Sequence, residues 1–294
     1  MDYRRPATFQ EALSVLAADG SSTVIAGGTD LLVDIKFRDF QPAGLVNINA
    51  LDELRYVREA PAGLRIGALT SVEDLSRYPL LAQRYTAIAD AARTFASLQV
   101  RNLATIGGSL GRATPAGDLL PPLLCLDASA ILASAGTERV VELTDFFLGP
   151  RRTVLAQGEL VREIVIPVPP PRTGSSYARM SYRDVLDLAI VGVASRLTLA
   201  EDGRILQARV ALGAVAPKPI RASRTEGLLE GQVLTDELIE EAGATAAGEA
   251  TPISDQRASA EYRTMITGVL ARRSLRSAAD AATVPASAAG RNGR

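Results

Sequence analysis

The chain has 294 residues, of which 47% are hydrophobic, and its 32 basic and 33 acidic residues give a formal net charge of −1. This length predicts about two globular domains, and the balanced charge provides no basic surface for nucleic acid or an anionic membrane. There is no histidine and a single cysteine, Cys125, which excludes a Ser-His-Asp triad, a disulfide framework and an iron–sulfur cluster held by this chain alone.

Helix and strand signals alternate through the first half of the chain. A capping box that begins at Thr8 predicts a helix over about residues 8–18. Short apolar runs predict strands, at residues 22–26, 45–48 and 64–68. Another helix is predicted from Ser71, and the alanine-rich residues 79–97 have helical spacing. This alternation is typical of an α/β fold.

A proline-rich segment, residues 167–171, interrupts this pattern and predicts a linker, because consecutive prolines continue neither a helix nor a central strand. We therefore place a domain boundary near residue 170. Beyond it, two β-rich runs flank an Asp-Gly pair and predict a hairpin, at residues 191–200 and 205–214. Two helices are predicted, at residues 235–249 and 256–276, and the small, polar residues 277–294 predict a disordered tail.

Two apolar runs end in a glycine pair that a hydroxyl residue follows, at residues 27–29 and 107–109. Glycine tolerates positive φ and lets a ligand approach the backbone, so successive N–H groups can converge on an anion such as a pyrophosphate. We therefore expect all four glycines to lie at or beside positive-φ turns. Neither pair belongs to the usual phosphate-binding or dinucleotide-binding motifs, and for either pair alone a plain tight turn is the alternative.

An aspartate, Asp118, follows the second glycine pair in the run Thr114-Pro-Ala-Gly-Asp118. Its carboxylate is a candidate acceptor for cofactor hydroxyl groups. A helix cap is the alternative interpretation of the same residue. Cys125 lies in an apolar run, which favours a buried, unreactive thiol.

Three motifs together resemble the signatures of a known family: Ala26-Gly-Gly-Thr-Asp-Leu-Leu32, Arg101-Asn-Leu-Ala-Thr-Ile-Gly-Gly-Ser109 and Ala113-Thr-Pro-Ala-Gly-Asp118. They look like those of the FAD-binding medium subunit of molybdenum hydroxylases, a group that includes carbon monoxide dehydrogenase and xanthine dehydrogenase. The resemblance covers nearly the whole chain, with further matches at Tyr3-Arg-Arg-Pro6, Gly158-Glu-Leu160, Asp187-Leu-Ala189 and Glu261-Tyr-Arg263.

The resemblance implies a fold class of α/β followed by α+β. Residues 1–170 would form a PCMH-type FAD-binding domain of two α/β subdomains, with FAD held between them. Residues 171–276 would form a C-terminal domain of the carbon monoxide dehydrogenase flavoprotein type, with a small antiparallel sheet and helices, that covers the flavin side. Residues 277–294 would be the tail.

The resemblance also implies which residues bind FAD, and it implies neither a catalytic residue nor a metal ligand. The implied FAD contacts are Val24, Ile25, Ala26, Gly27, Gly28, Thr29, Asp30, Leu31, Phe95, Thr105, Ile106, Gly107, Gly108, Ser109, Asp118, Leu160 and Arg179. By periodicity alone, Phe95 and Leu160 are ordinary core residues. Two residues depart from the family pattern: Ser109 replaces a usual asparagine, and Arg112 replaces a small or apolar residue.

The function that the resemblance implies is electron transfer within a larger oxidoreductase. Partner subunits would be a small iron–sulfur protein with [2Fe–2S] clusters and a large subunit with the molybdenum cofactor, assembled as a dimer of heterotrimers. A stand-alone flavin oxidase or dehydrogenase and a non-catalytic assembly module without FAD are the alternatives. One cysteine, no apolar run of membrane-spanning length and no apolar signal core predict an unprocessed cytoplasmic protein that has no membrane span.

Overall fold

The computed structural model describes residues 2–283, and contacts within the chain divide them into two units. Unit 1 comprises residues 2–74, 97–113 and 128–167, and unit 2 comprises residues 75–96, 114–127 and 168–283. Two segments that precede residue 170 thus belong to unit 2. The chain passes between the two units several times, whereas the sequence suggests one boundary. The domain boundary near residue 170 stays a prediction.

Helices and strands alternate along the described residues. The α-helices are α1 Phe9–Ala18, α2 Leu31–Phe37, α3 Val72–Arg77, α4 Pro79–Arg84, α5 Thr86–Thr94, α6 Leu98–Leu103, α7 Ile106–Arg112, α8 Leu120–Cys125, α9 Leu143–Phe146, α10 Ser223–Leu229, α11 Asp236–Glu249 and α12 Ala260–Thr283. The strands are β1 Asp2–Arg4, β2 Ser22–Ile25, β3 Gly44–Asn47, β4 Val57–Ala60, β5 Gly63–Gly67, β6 Ser129–Ser134, β7 Thr137–Glu142, β8 Phe147–Gly149, β9 Arg152–Thr153, β10 Leu160–Ile166, β11 Thr173–Met180, β12 Val191–Leu199, β13 Ile205–Gly213 and β14 Ile220–Arg221.

The first sheet of unit 1 is parallel and has the strand order β1-β3-β2. The predicted helix that begins near residue 8 is confirmed as α1. The Thr8 hydroxyl oxygen accepts a hydrogen bond from the Glu11 N–H at 3.1 Å, and the Glu11 carboxylate accepts one from the Ala7 N–H at 2.7 Å. The buried face of α1 packs with β3 in one apolar core. This sheet places the end of β2 directly before the first glycine pair.

The second sheet of unit 1 is antiparallel, with the strand order β4-β5-β10-β6-β7. Its central strand, β10, pairs with both β5 and β6, and Leu160 at its start lies in the apolar core. Helix α7 packs against β10. This sheet therefore supports the helix that carries the second glycine pair.

Unit 2 is built on a four-stranded antiparallel sheet in the order β11-β12-β13-β14, with α10, α11 and α12 packed in its core. The predicted hairpin is confirmed as β12 and β13, which are joined through Gly203 at φ +85°. A Cβ atom at Gly174 in β11 would lie 2.2 Å from the Ala278 carbonyl oxygen of α12, so that strand and helix approach closely.

Helix α12 extends to Thr283, so the predicted tail is wrong for residues 277–283. The reason is tertiary packing, because Ala278 and Ala282 are buried with Leu275 in the core of unit 2. Small residues gave this stretch no recognisable apolar stripe in the sequence. Residues 284–294, the rest of the predicted tail, lie outside the described residues.

Candidate functional site

The first glycine pair forms an open turn between β2 and α2. Gly28 has φ +71°, a conformation that favours glycine. A Cβ atom at Gly27 would lie 1.8 Å from the carbonyl oxygen of Leu103, so the backbones of these two residues touch. Two exposed leucines flank the turn: a Cβ atom at Gly28 would lie 3.0 Å from the side chain of Leu32, and both Leu32 and Leu103 are more than half exposed.

The N–H groups of this turn are the main feature of the site. Within residues 2–283, no protein group accepts a hydrogen bond from the backbone N–H groups of residues 27–31. The helix that follows starts its own bonding only with the Leu32 N–H, which donates to the Gly28 carbonyl at 3.0 Å. Five successive donors are thus available at a half-buried turn, an arrangement that suits an anion with many oxygen acceptors.

The second glycine pair has a different geometry, and the prediction of a positive-φ turn is wrong for Gly107 and Gly108, whereas Gly27 lies beside the positive-φ Gly28 as predicted. The pair lies in the first turn of α7 because the Thr105 side chain caps this helix, and helical residues have negative φ. A Cβ atom at Gly107 would lie 2.7 Å from both the Cβ and the carbonyl oxygen of Ala68. Close packing on Ala68, and not a turn, explains this glycine.

The N–H groups at the start of α7 already have protein acceptors. The Gly107 N–H donates to the Ala68 carbonyl at 2.8 Å, and the Gly108 N–H donates to the Thr105 hydroxyl oxygen at 3.1 Å. The Ser109 hydroxyl donates to the Thr105 carbonyl at 3.1 Å. Thr105 and Ile106 are buried, whereas Gly108 is exposed and Ser109 half-buried. This stretch therefore offers a ligand the exposed backbone of Gly108 and one hydroxyl, but no free row of N–H groups.

In unit 2, Asp118 is buried with only 4% of its surface exposed. Its Oδ1 accepts a hydrogen bond from the Tyr177 hydroxyl at 2.8 Å, and its Oδ2 accepts one from Arg179 Nη1 at 3.0 Å. Burial raises the pKa of Asp118 to about 6, although Arg179 and Tyr177 both favour the ionised form. The helix-cap interpretation is wrong, since α8 begins after Leu119 without a side-chain cap.

Arg179 joins Asp118 to the loop that follows β11. Its Nη1 also donates to the carbonyl of Asp187 and its Nη2 to the carbonyl of Asp184, both at 3.3 Å. Tyr177 and Arg179 are two positions apart on β11, so they share one face of the strand. Tyr177 was not predicted from the sequence, although its spacing from Arg179 was a signal for it.

The other predicted residues divide between the two units. Phe95 is half-buried at the end of α5 in unit 2. Leu160 is 5% exposed in the core of unit 1, as its periodicity predicts, and its contact with FAD stays a prediction. Cys125 is buried, and burial raises the pKa of its thiol to about 12, which confirms the expected unreactive cysteine.

Comparison with known proteins identifies the family of this chain. Residues 1–169 match the model of the FAD binding domain in molybdopterin dehydrogenase, and residues 175–278 match that of the CO dehydrogenase flavoprotein C-terminal domain. The chain belongs to the family of FAD-binding subunits of molybdenum hydroxylases. FAD is therefore its cofactor, and the chain is a subunit of an oxidoreductase.

Relatives of this FAD-binding subunit match it along nearly its whole length. The glyceraldehyde dehydrogenase medium chain of Sulfolobus acidocaldarius is 34% identical over 94% of this chain and 98% of its own. Carbon monoxide dehydrogenase of Hydrogenophaga pseudoflava, solved without the Mo-pyranopterin moiety of its cofactor, superposes with a TM-score of 0.91 at 32% identity over 96% of this chain and 98% of its own. Quinoline 2-oxidoreductase of Pseudomonas putida 86 gives 0.90 at 30% identity over 97% and 98%.

The geometry of the first glycine turn fits FAD. Its five free N–H donors match the many acceptor oxygens of a pyrophosphate, and its exposed leucines provide apolar surface beside them.

Among the helices of residues 2–283, none combines the length and apolarity that a membrane span needs.

Proposed function

We propose that this subunit carries electrons from [2Fe–2S] clusters of a partner subunit, through its FAD, to an external acceptor. The observation that carries the proposal is the row of free N–H groups at residues 27–31 in a chain of this family. When bound, FAD supplies a carrier for both one-electron and two-electron transfer. The residues of this chain bind and orient it.

In unit 1, residues 24–31 bind the pyrophosphate and the ribityl chain, with the N–H groups of residues 27–31 and the Thr29 hydroxyl as donors. Residues 105–109 contribute differently. Because the N–H groups of Gly107 and Gly108 are already bonded, this stretch contacts FAD through the exposed Gly108 and the Ser109 hydroxyl. Thr105 and Ile106 support these residues from within the core. Leu160, at the start of β10, contacts FAD from the same unit.

In unit 2, Asp118 accepts hydrogen bonds from FAD hydroxyl groups, and Phe95 and Arg179 complete the contacts. A carboxylate offers about four lone-pair sites, and Tyr177 and Arg179 occupy two of them. With a pKa of about 6, Asp118 is mostly ionised at neutral pH and keeps its accepting capacity. Arg179 holds the carboxylate in place while it binds the loop carbonyls.

Electrons must enter this subunit from another chain. The sequence has no histidine and one cysteine, and residues 2–283 contain no group of three side chains arranged to hold a metal ion. We therefore propose a small iron–sulfur subunit and a large molybdenum-cofactor subunit as partners, in a dimer of heterotrimers. The single, buried cysteine supports a cytoplasmic location, where thiols stay reduced.

The FAD site can be tested with two glycines that share one backbone conformation. Gly28 and Gly136 both have positive φ, at +71° and +87°, but Gly136 lies in the turn between β6 and β7. Alanine at either position costs about 1–2 kcal/mol of folding free energy, because left-handed backbone disfavours a Cβ atom. Gly28→Ala should lose FAD, measured by the flavin absorbance of the purified protein, and Gly136→Ala should keep it. Equal FAD content in both variants contradicts the site.

The electron-transfer role can be tested on the isolated chain. Acid precipitation should release its yellow colour as FAD, because no covalent bond holds it, and the chain alone should not oxidise aldehydes, purines, N-heterocycles or carbon monoxide. Purification from the native host should yield a small and a large companion protein. Substrate oxidation by the isolated chain on a catalytic timescale would favour a stand-alone flavoenzyme, and a colourless, FAD-free chain would favour an assembly module.

A further inference from the structure

Arg112, one of the two departures from the family pattern, connects the helices that carry the two glycine segments. It is the last residue of α7, and its Nη1 donates to Oδ2 of Asp34 in α2 at 2.5 Å. Its Nε lies 3.6 Å from Oδ1 of Asp30, in the first glycine turn. The Arg112 side chain is 18% exposed and that of Asp34 is 8% exposed, so the pair is largely shielded from water.

The Asp34 carboxylate is surrounded by further arginine side chains of unit 1. Arg38 Nη1 lies 3.1 Å from its Oδ1, and Arg151 Nη1 lies 3.5 Å from its Oδ2. The Arg151 N–H also donates to the carbonyl of Ala113, directly after α7, at 3.0 Å. The hydrogen bond from Arg112 is the main reason why the pKa of Asp34 is lowered, which keeps this carboxylate ionised. The end of α7 is thus attached to α2 through both Arg112 and Arg151.

We propose that Arg112 is a positioning residue for FAD: through Asp34 it holds α7, with its exposed Gly108 and Ser109, in register with the turn whose N–H groups are free. The inference rests on the proposed assignment of both segments to FAD. Each of the two helices has seven residues, too few to be stable alone, so the ion pair between them helps to fix their relative position. A ligand that touches both segments gains affinity when they are already in place.

A purely structural ion pair would stabilise the fold without changing FAD affinity, and unit 1 contains one for comparison. Arg139 in β7 makes two bonds to Glu159, from Nε at 2.7 Å and from Nη2 at 2.8 Å, and neither residue belongs to a glycine segment. Arg139→Met therefore removes an arginine–carboxylate ion pair elsewhere in the same unit. It serves as the matched control for Arg112→Met.

The test is the Kd for FAD of the full chain after removal of its flavin, measured by the fluorescence change on FAD addition. Arg112→Met and Asp34→Asn should each weaken binding about tenfold, or about 1.4 kcal/mol. The double variant should be no weaker than either single one, because both changes break the same contact. Arg112→Lys should recover part of the affinity, since it keeps the charge, and Arg139→Met should bind FAD as the wild type does.

The proposal is overturned if Asp34→Asn and Arg112→Met, folded by circular dichroism, bind FAD as tightly as the wild type. Losses that add in the double variant overturn it too, and so does an equal loss in Arg139→Met. If Arg112→Met does not fold, Asp34→Asn and Arg112→Lys decide, because both keep hydrogen-bonding groups of similar size. A wild-type chain that fails to bind FAD would instead contradict the proposed function, an outcome separate from variants that bind it equally well.

Discussion

The two glycine pairs look alike in the sequence, yet the fold uses them in opposite ways. Gly27 and Gly28 lie in an open turn with one positive φ, where the N–H groups of residues 27–31 have no acceptor among the described residues. Gly107 and Gly108 are helical, with both N–H groups bonded to neighbouring protein oxygens. We propose that the first pair supplies donors to FAD, whereas the second lets a helix lie close to the backbone at Ala68. A repeated motif can therefore serve binding at one position and packing at the other.

The largest effect on stability should come from Gly27→Ala. The new Cβ atom would lie 1.8 Å from the Leu103 carbonyl oxygen, and neither backbone can move without disturbing the turn. We expect a loss of about 3 kcal/mol in the free energy of unfolding, at the upper end of overpacking effects, measured by chemical denaturation. A variant as stable as the wild type would show that the contact with Leu103 does not hold the turn, and would contradict a turn that is fixed before FAD binds.

Amide hydrogen exchange with and without FAD tests the comparison directly. The N–H groups of residues 27–31 should exchange freely in the FAD-free chain and slow about a hundredfold at an FAD concentration of about 100 times Kd. Those of residues 106–109 should be protected in both states, because they already have acceptors. Equal gains in protection at both glycine pairs would contradict the division of roles.

Gly107→Val should destabilise the protein and reduce its FAD content together. Its Cβ atom would lie 2.7 Å from Ala68, so α7 must shift away from its support, at a cost of about 1–3 kcal/mol. FAD content is measured by absorbance and stability by thermal denaturation of the same sample. Full FAD occupancy in a folded, destabilised variant would mean that α7 does not contact FAD.

The smallest effect, and one of opposite sign, is expected at Gly111. A Cβ atom there would have no neighbour within 4 Å, and the residue lies inside α7. Gly111→Ala should raise the free energy of unfolding by about 0.5–1 kcal/mol, because alanine favours the helix, and leave FAD affinity unchanged. Weaker FAD binding in this more stable variant would extend the site along α7.

Local chemistry made parts of this fold predictable. The Thr8 capping box and the Asp-Gly pair before Arg204 determine their helix and hairpin over a few residues, and both are confirmed. The antiparallel sheet of unit 1 was not predicted, because β6 and β10 are buried along much of both faces and lack a clear alternation. Their pairing depends on residues distant in the sequence.

The site was predictable to the same extent. A glycine pair followed by a hydroxyl residue predicts that something approaches the backbone closely. Whether that is a ligand or another part of the chain depends on the residue that packs there. For Gly107 that partner is Ala68, and no local pattern reveals it. Likewise Arg112 stood out in the sequence as a departure, while its partner Asp34 lies 78 positions away. Long-range contacts of this kind become visible only in the folded chain.

The buried thiol of Cys125 has a practical consequence for studying this subunit. It is the only cysteine of the chain, it is fully shielded, and burial raises its pKa to about 12, so it is not a target for thiol reagents in the folded protein. A cysteine introduced at an exposed position such as Val185 would be the only reactive thiol. The natural sequence is thus ready for site-specific spin or fluorescence labels that report how the loop after β11 responds to FAD and to partner subunits.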